Sequence, residues 1–173
     1  MYRFIKKYHY QLVIVLTLMS LVAIALVDTH LKTPITPHGI LDFEWAKTPL
    51  KTNQILHAWG TQGSLFAAFS LGIDYLFLVF YTLFFVLTTQ RLSNNNHFII
   101  KKTTNAVILL FLLAGFYDAL ENYFLLRILT GQNTSNMALQ AYMVSLSKFL
   151  LIGLGVLYLT VSAIIKFVEH KKQ

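Results

Sequence analysis

The chain has 173 residues, of which 56% are hydrophobic and only 12% charged, whereas about a quarter of a soluble domain's residues are charged. That composition excludes a soluble globular domain and implies an all-α, polytopic membrane protein. There is no cysteine, which removes thiol catalysis, thiolate metal sites and disulfides, and the net charge of +7 is scattered over loop ends rather than gathered into the stripe a nucleic-acid surface requires.

Four apolar stretches reach the length of about 20 residues that crosses about 30 Å of hydrocarbon. They run approximately over residues 10–27, 64–87, 105–129 and 142–165, within one membrane domain spanning 1–173. The first follows Arg3, Lys6 and Lys7 and contains Ala23-Ile24-Ala25, as a cleaved signal would. Its apolar run is long for a signal, so it is expected to remain as a first span.

Residues 28–63 form the one connection long enough to hold structure. Thr36-Pro37 and Thr48-Pro49 each read as an N-cap followed by proline at the first helical position, predicting short helices over about 37–47 and 49–59, with Gly60 as the stop. Ile40, Leu41, Phe43, Trp45, Ile55, Leu56 and Trp59 are too apolar for a solvated loop, so the segment is expected to lie on or dip into the outer leaflet over the bundle. Trp59 reads best as an interfacial anchor, and His57 as a surface residue near an entrance. Residues 88–104 and 130–140 read as polar connectors, the second including the glycosylation-like triplet Asn133-Thr134-Ser135.

With four spans, the termini and the second loop share one side. They hold Arg3, Lys6, Lys7, Arg91, Lys101, Lys102, Lys166, Lys171 and Lys172, against Lys32, Lys47, Lys51 and Arg127 on the other side. This bias places both termini in the cytoplasm of a cell (inner or plasma) membrane, with Tyr2, Tyr8 and Tyr10 at the inner interface.

Asp74, Asp118, Glu121 and Lys148 lie inside these apolar runs, where a charge at the bilayer centre costs roughly 2.5–3.5 kcal/mol. At 1.5 Å per residue, Asp74 lies about 15 Å, Asp118 about 16 Å, and Glu121 and Lys148 about 12 Å below the outer surface. Three helices thus bring ionisable groups to one level. Asp118, Glu121 and Asn122 fall at i, i+3 and i+4, Ala67, Ser70, Asp74 and Tyr81 share a face of span two, and Ser145, Lys148 and Gly155 share one in span four. Span one offers only Thr17 and Ser20.

Three acids face one lysine, or two basic groups if Arg127 reaches inward, so at least one carboxyl is left over and is expected to be protonated. Glu44, between Phe43 and Trp45, could point into the same chamber; since it alternates faces with Asp42, only one of the two should do so. The competing explanation is a buried polar network that specifies helix packing alone. Metals, haem and other cofactors find little support: no histidine falls at the depth of the carboxylates, and the Glu-x-x-His spacing of di-iron bundles is absent. No glycine-rich phosphate loop or Ser–His pair is present either.

The succession Pro37-x-Gly39-Ile40, Phe43-Glu44-x-Ala46, Ala68-Phe69-Ser70-Leu71-Gly72-x-Asp74-Tyr75-Leu76-Phe77, Tyr81, Asp118-Ala119-x-Glu121-Asn122 and Lys148 resembles a group of small, uncharacterised bacterial four-span membrane proteins. The resemblance implies that Glu44, Asp74, Asp118, Glu121, Asn122 and Lys148 act as a set. In architecture alone the chain is also similar to the emopamil-binding and sigma-2 receptor proteins, four-span folds with acidic residues lining an intramembrane sterol or amine cavity.

Three function classes remain. The first is a carboxylate-rich cavity open to the outer leaflet, comprising Asp74, Asp118, Glu121, Asn122, Lys148, Glu44 and Tyr81, that binds or acts by acid–base chemistry on a lipid-like or cationic amphiphile. The second is proton or cation translocation by an oligomer, and the third a structural or accessory subunit. The expected partners are membrane lipids and a hydrophobic or cationic small molecule, with no nucleic acid; whether the chain is enzymatic, and how many copies assemble, stays open. The first class is the one the residues favour.

Overall fold

A computed structural model describes residues 2–93, 98–132 and 134–171, without the side chains of 2–8, 98–101, 135, 169 and 170. The side chains of Tyr2, Arg3, Lys6, Lys7, Tyr8, Lys101 and His170, and the residues 94–97, Asn133 and Lys172, therefore lie outside what is described.

The chain is an all-α protein with helices α1 (Tyr2–Asp28), α2 (Ile40–Glu44), α3 (Pro49–Ser93), α4 (Phe98–Leu129) and α5 (Ser135–His170), plus a single 3-10 turn, Thr29–Leu31. Four of them are long and apolar enough to cross a membrane, over His9–Leu31, Pro49–Ser93, Lys102–Leu129 and Asn136–Val168. Helix is what lipid demands, because every backbone N–H and C=O must be satisfied within the segment. Several hydroxyls in these runs meet the same demand by bonding back one turn, as in Thr17 to Val13 O (2.7 Å), Ser20 to Leu16 O (2.8 Å) and Thr89 to Phe85 O (2.8 Å).

Each helix runs beyond its predicted span. The connector expected over 130–140 shortens to residues 130–134, and the Gln132 and Gly131 amides donate to Arg127 O and Ile128 O and close the end of α4. Gly60 is not a stop. Its φ of 58° and ψ of −164° break the helical path for one residue, and the chain resumes as helix at once, so the predicted loop helix and span two form one kinked element.

The first predicted loop helix also needs correction: only Ile40–Glu44 is helical. Thr36 does not cap it, because its hydroxyl donates instead to Leu31 O (2.7 Å). The first amide of α2, that of Ile40, donates to Asp28 Oδ1 at the end of α1 (2.7 Å). Gly39 sits against that carboxylate at φ 61°, where any Cβ would collide with the Asp28 side chain. Thr48 does act as a cap, its hydroxyl accepting the Lys51 amide (3.3 Å).

The 28–63 segment folds onto the end of the bundle as a roof. Leu31, Ile40, Phe43, Ala46, Ile55 and Trp59 pack in one cluster with Ala67, Leu71, Leu125, Ile128, Ala138 and Ala141. Trp59 is therefore a core residue and not an interfacial anchor. Its indole N–H donates to Leu31 O (2.8 Å) and Thr36 Oγ1 (3.1 Å), and its ring packs on Phe43.

The spans pack in the order α1, α3, α4, α5. α3 rests on α4 and α4 on α5, while α1 lies along α3 and makes no extended contact with α4 or α5. A seam is thus left between α1 and α5. At the far side of the bundle Phe85 and Phe111 stack at 4.5 Å, and Gly155 of α5 faces the Phe111 ring so closely that a Cβ would overlap it. Gly155→Ala is expected to destabilise the protein by about 1–3 kcal/mol through overpacking. Thermal unfolding in detergent would read this as a lowered midpoint.

Candidate functional site

Lys148 of α5 is the centre of the buried polar group. Its Nζ lies 2.6 Å from Glu121 Oε2, 2.9 Å from Asp118 Oδ1 and 3.8 Å from Glu44 Oε2. Asp118 and Glu121 reach it from one face of α4, because i and i+3 differ by less than a turn. Glu44 reaches it from the roof. Asp42 turns away and accepts the His38 amide (2.8 Å), so the two acids of α2 do face opposite ways.

Asp74 belongs to an adjoining pair. Its Oδ2 accepts from Asn122 Nδ2 at 2.7 Å, which places a neutral amide, not an ammonium, next to this carboxyl. Tyr75 bonds to Ala119 O (3.3 Å) and fastens α3 to α4 at the same level. Six of the seven residues singled out from sequence, Glu44, Asp74, Asp118, Glu121, Asn122 and Lys148, are thus gathered in one cluster, and Tyr81 lies two turns beyond Asp74 on α3. Arg127 is not among them: its guanidinium lies over the Tyr123 ring, 5.7 Å from the centroid.

A cavity of about 530 Å3 adjoins this group. Its polar end carries Glu44, Asp74, Asp118, Lys148 and the Tyr81 hydroxyl, and its walls are supplied by Leu21, Ile24, Phe77, Phe84, Phe85 and Ile152, among others. Glu121 and Asn122 do not line it. They stand behind Lys148 and Asp74 respectively, fully buried. Tyr81 is 4% exposed, and its hydroxyl, aimed into the cavity, has no hydrogen-bond partner among the described residues.

Leu21 of α1, Leu41 of α2 and Phe149 of α5 line the cavity and are also 46%, 40% and 40% exposed. The cavity therefore opens sideways, through the seam between α1 and α5, at a level where the surrounding surface is apolar. Away from the roof it ends on Phe84 and Phe85, the latter stacked on Phe111.

Four carboxyls and one ammonium share this volume. Burial pushes the Glu44 carboxyl well above the usual carboxylate range; Lys148 opposes that shift, while the neighbouring Glu121 and Asp74 carboxyls add to it. A proton on Glu44 supplies a hydrogen bond to Glu121, whose oxygens have no other donor than Lys148 among the described residues. Nor are any three His, Cys, Asp or Glu side chains among the described residues arranged to hold a metal ion; Lys148 occupies the centre of the carboxyls.

Asp28 was not foreseen as part of the site. It lines the cavity mouth while its Oδ1 ties α1 to α2. An acid at the end of a span reads as an interfacial residue, and the only signal of its role is the glycine eleven positions later that leaves room for it. Phe149 and Ile152 were likewise unforeseen, since nothing in an apolar span distinguishes a residue facing a cavity from one facing lipid. Comparison with models of protein families, with curated proteins and with solved structures finds no match for this chain.

Proposed function

We propose that this integral membrane protein binds a cationic amphiphile, with its charged head at Asp74, Asp118 and Glu44 and its apolar chain along the cavity wall toward the α1/α5 seam. The observation that carries the reading is the composition of the cavity: apolar and aromatic on its walls, with more carboxyl than ammonium at one end. Its volume falls within the range of about 300–1,000 Å3 usual for small-molecule sites. Phe77 and Tyr81, which pack together beside Asp74, add ring faces that attract an alkylammonium. A proton held on Glu44 gives the same site the means for acid–base chemistry on a bound lipid-like substrate.

The bias of basic residues supports an orientation with both termini in the cytoplasm and the roof facing out, so the seam would draw from the outer leaflet of a cell membrane. The architectural likeness to emopamil-binding and sigma-2 receptor proteins points toward the same ligand class. Translocation is the weaker reading, because a path through the bundle from the polar end meets Phe84, Phe85 and Phe111.

The test is equilibrium binding of labelled octyltrimethylammonium to the protein in lipid nanodiscs, with 1-octanol as the uncharged comparison. The cation should bind, and Asp74→Asn or Asp118→Asn should weaken it by about thirtyfold or more, the equivalent of the ~2 kcal/mol lower bound for truncating a buried charge pair. Equal binding of 1-octanol, or unchanged binding by both variants, would refute the reading.

A further inference from the structure

We propose that the cavity exchanges a proton for its ligand: each permanently charged cation that binds displaces one proton, which Glu44 holds when the site is free. The inference rests on the cationic-amphiphile reading above and adds what the site gives up on binding.

The buried cluster holds more carboxyls than its one ammonium can balance. The titratable and charged groups facing Glu44 are Asp28 from α1, Asp74 and Tyr81 from α3, Asp118 and Glu121 from α4, and Lys148 from α5. Asp28 is occupied with the Ile40 amide at the cavity mouth. Lys148 lies much closer to Glu121 and Asp118 than to Glu44. One ammonium cannot balance the remaining carboxyls, and an uncompensated buried carboxylate costs several kcal/mol, which protonation avoids. Of the two cavity carboxyls outside hydrogen-bonding reach of Lys148, Asp74 already accepts a hydrogen bond from Asn122, whereas Glu44, 3.8 Å from the ammonium, has a neighbouring carboxyl able to accept a hydrogen bond from it.

A cation in the cavity supplies the second positive charge. Glu44 then has a counter-ion of its own, its O–H bond breaks, the carboxylate stays paired with the ligand, and the proton leaves to water. No bond to the ligand forms or breaks. The Tyr81 hydroxyl, on a cavity-lining residue and buried without a hydrogen-bond partner among the described residues, points to such an occupant. Glu121 cannot take the role. It is fully buried behind Lys148 and does not line the cavity.

The experiment is calorimetric titration of octyltrimethylammonium into the protein in nanodiscs at about pH 7, in two buffers of different ionisation enthalpy; buried Glu groups still hold protons at this pH. The probe has no proton of its own, so every proton released comes from the protein. One proton per bound cation is expected, together with an affinity that tightens about tenfold per pH unit while the carboxyl is protonated in the free site. Glu44→Gln should bind the cation with release reduced toward zero. Binding by the parent chain without proton release, or undiminished release from Glu44→Gln, overturns the exchange and leaves the binding reading intact. Failure of the parent chain to bind the probe overturns both.

Discussion

Lys148→Met is expected to be the most damaging single substitution in the chain. It removes the only ammonium near Asp118, Glu121 and Glu44 among the described residues, and breaking a buried pair by deleting one partner costs about 3–5 kcal/mol. The loss arises from the carboxylates left behind rather than from the missing lysine. The triple variant Lys148→Met/Asp118→Asn/Glu121→Gln, in which the uncompensated charge is gone, should therefore recover most of the stability. Acidification should act in the same direction. Protonation removes the uncompensated charge left behind, so the defect should shrink as pH falls and be widest at neutral pH. Unfolding of the purified variants in detergent across pH measures both effects. A Lys148→Met protein as stable as the parent would mean that the carboxyls are already neutral and the ammonium is dispensable.

Trp59→Ala should be the second most costly change, by about 3–5 kcal/mol, as for other buried tryptophan truncations. Trp59 is 6% exposed, fills the roof against Phe43 and donates its indole N–H to Leu31 O and Thr36 Oγ1. An interfacial anchor would behave differently, since its replacement leaves no void. Trp59→Phe separates the two contributions: it restores most of the volume without the donor, and should retain about 1–3 kcal/mol of the loss for the acceptors left without it. Exposed Trp45, by contrast, should tolerate alanine with little change in thermal stability.

Depth was legible in the sequence, and direction only in part. The fixed rise of a helix put Asp74, Asp118, Glu121 and Lys148 at one level, and helical phase put Asn122 beside Glu121 on the stripe from which it reaches Asp74. The number of the spans followed from apolar composition alone. The roof resisted because its order does not come from periodicity. Thr36-Pro37 carries a local capping signal, yet tertiary bonds from Thr36 to Leu31 and from Ile40 to Asp28 delay the helix to Ile40. Glu44 could be placed only as one of two alternatives, since in a short loop helix the direction of a side chain is set by packing of Phe43 that the sequence does not express. The seam lay furthest from view: it depends on which spans are neighbours, and an apolar helix reads alike whether it faces lipid, another helix or a cavity.

The hydrogen bond from the Ile40 amide to Asp28 joins the last turn of α1 to the first residue of α2, and Glu44 stands at the other end of that same short helix. α1 also forms one wall of the seam and is held among the spans chiefly by α3. A swing of α1 away from α5 must either break this bond or carry α2 with it and draw Glu44 off Lys148. The position of α1 is thus coupled to that of Glu44 through a helix five residues long.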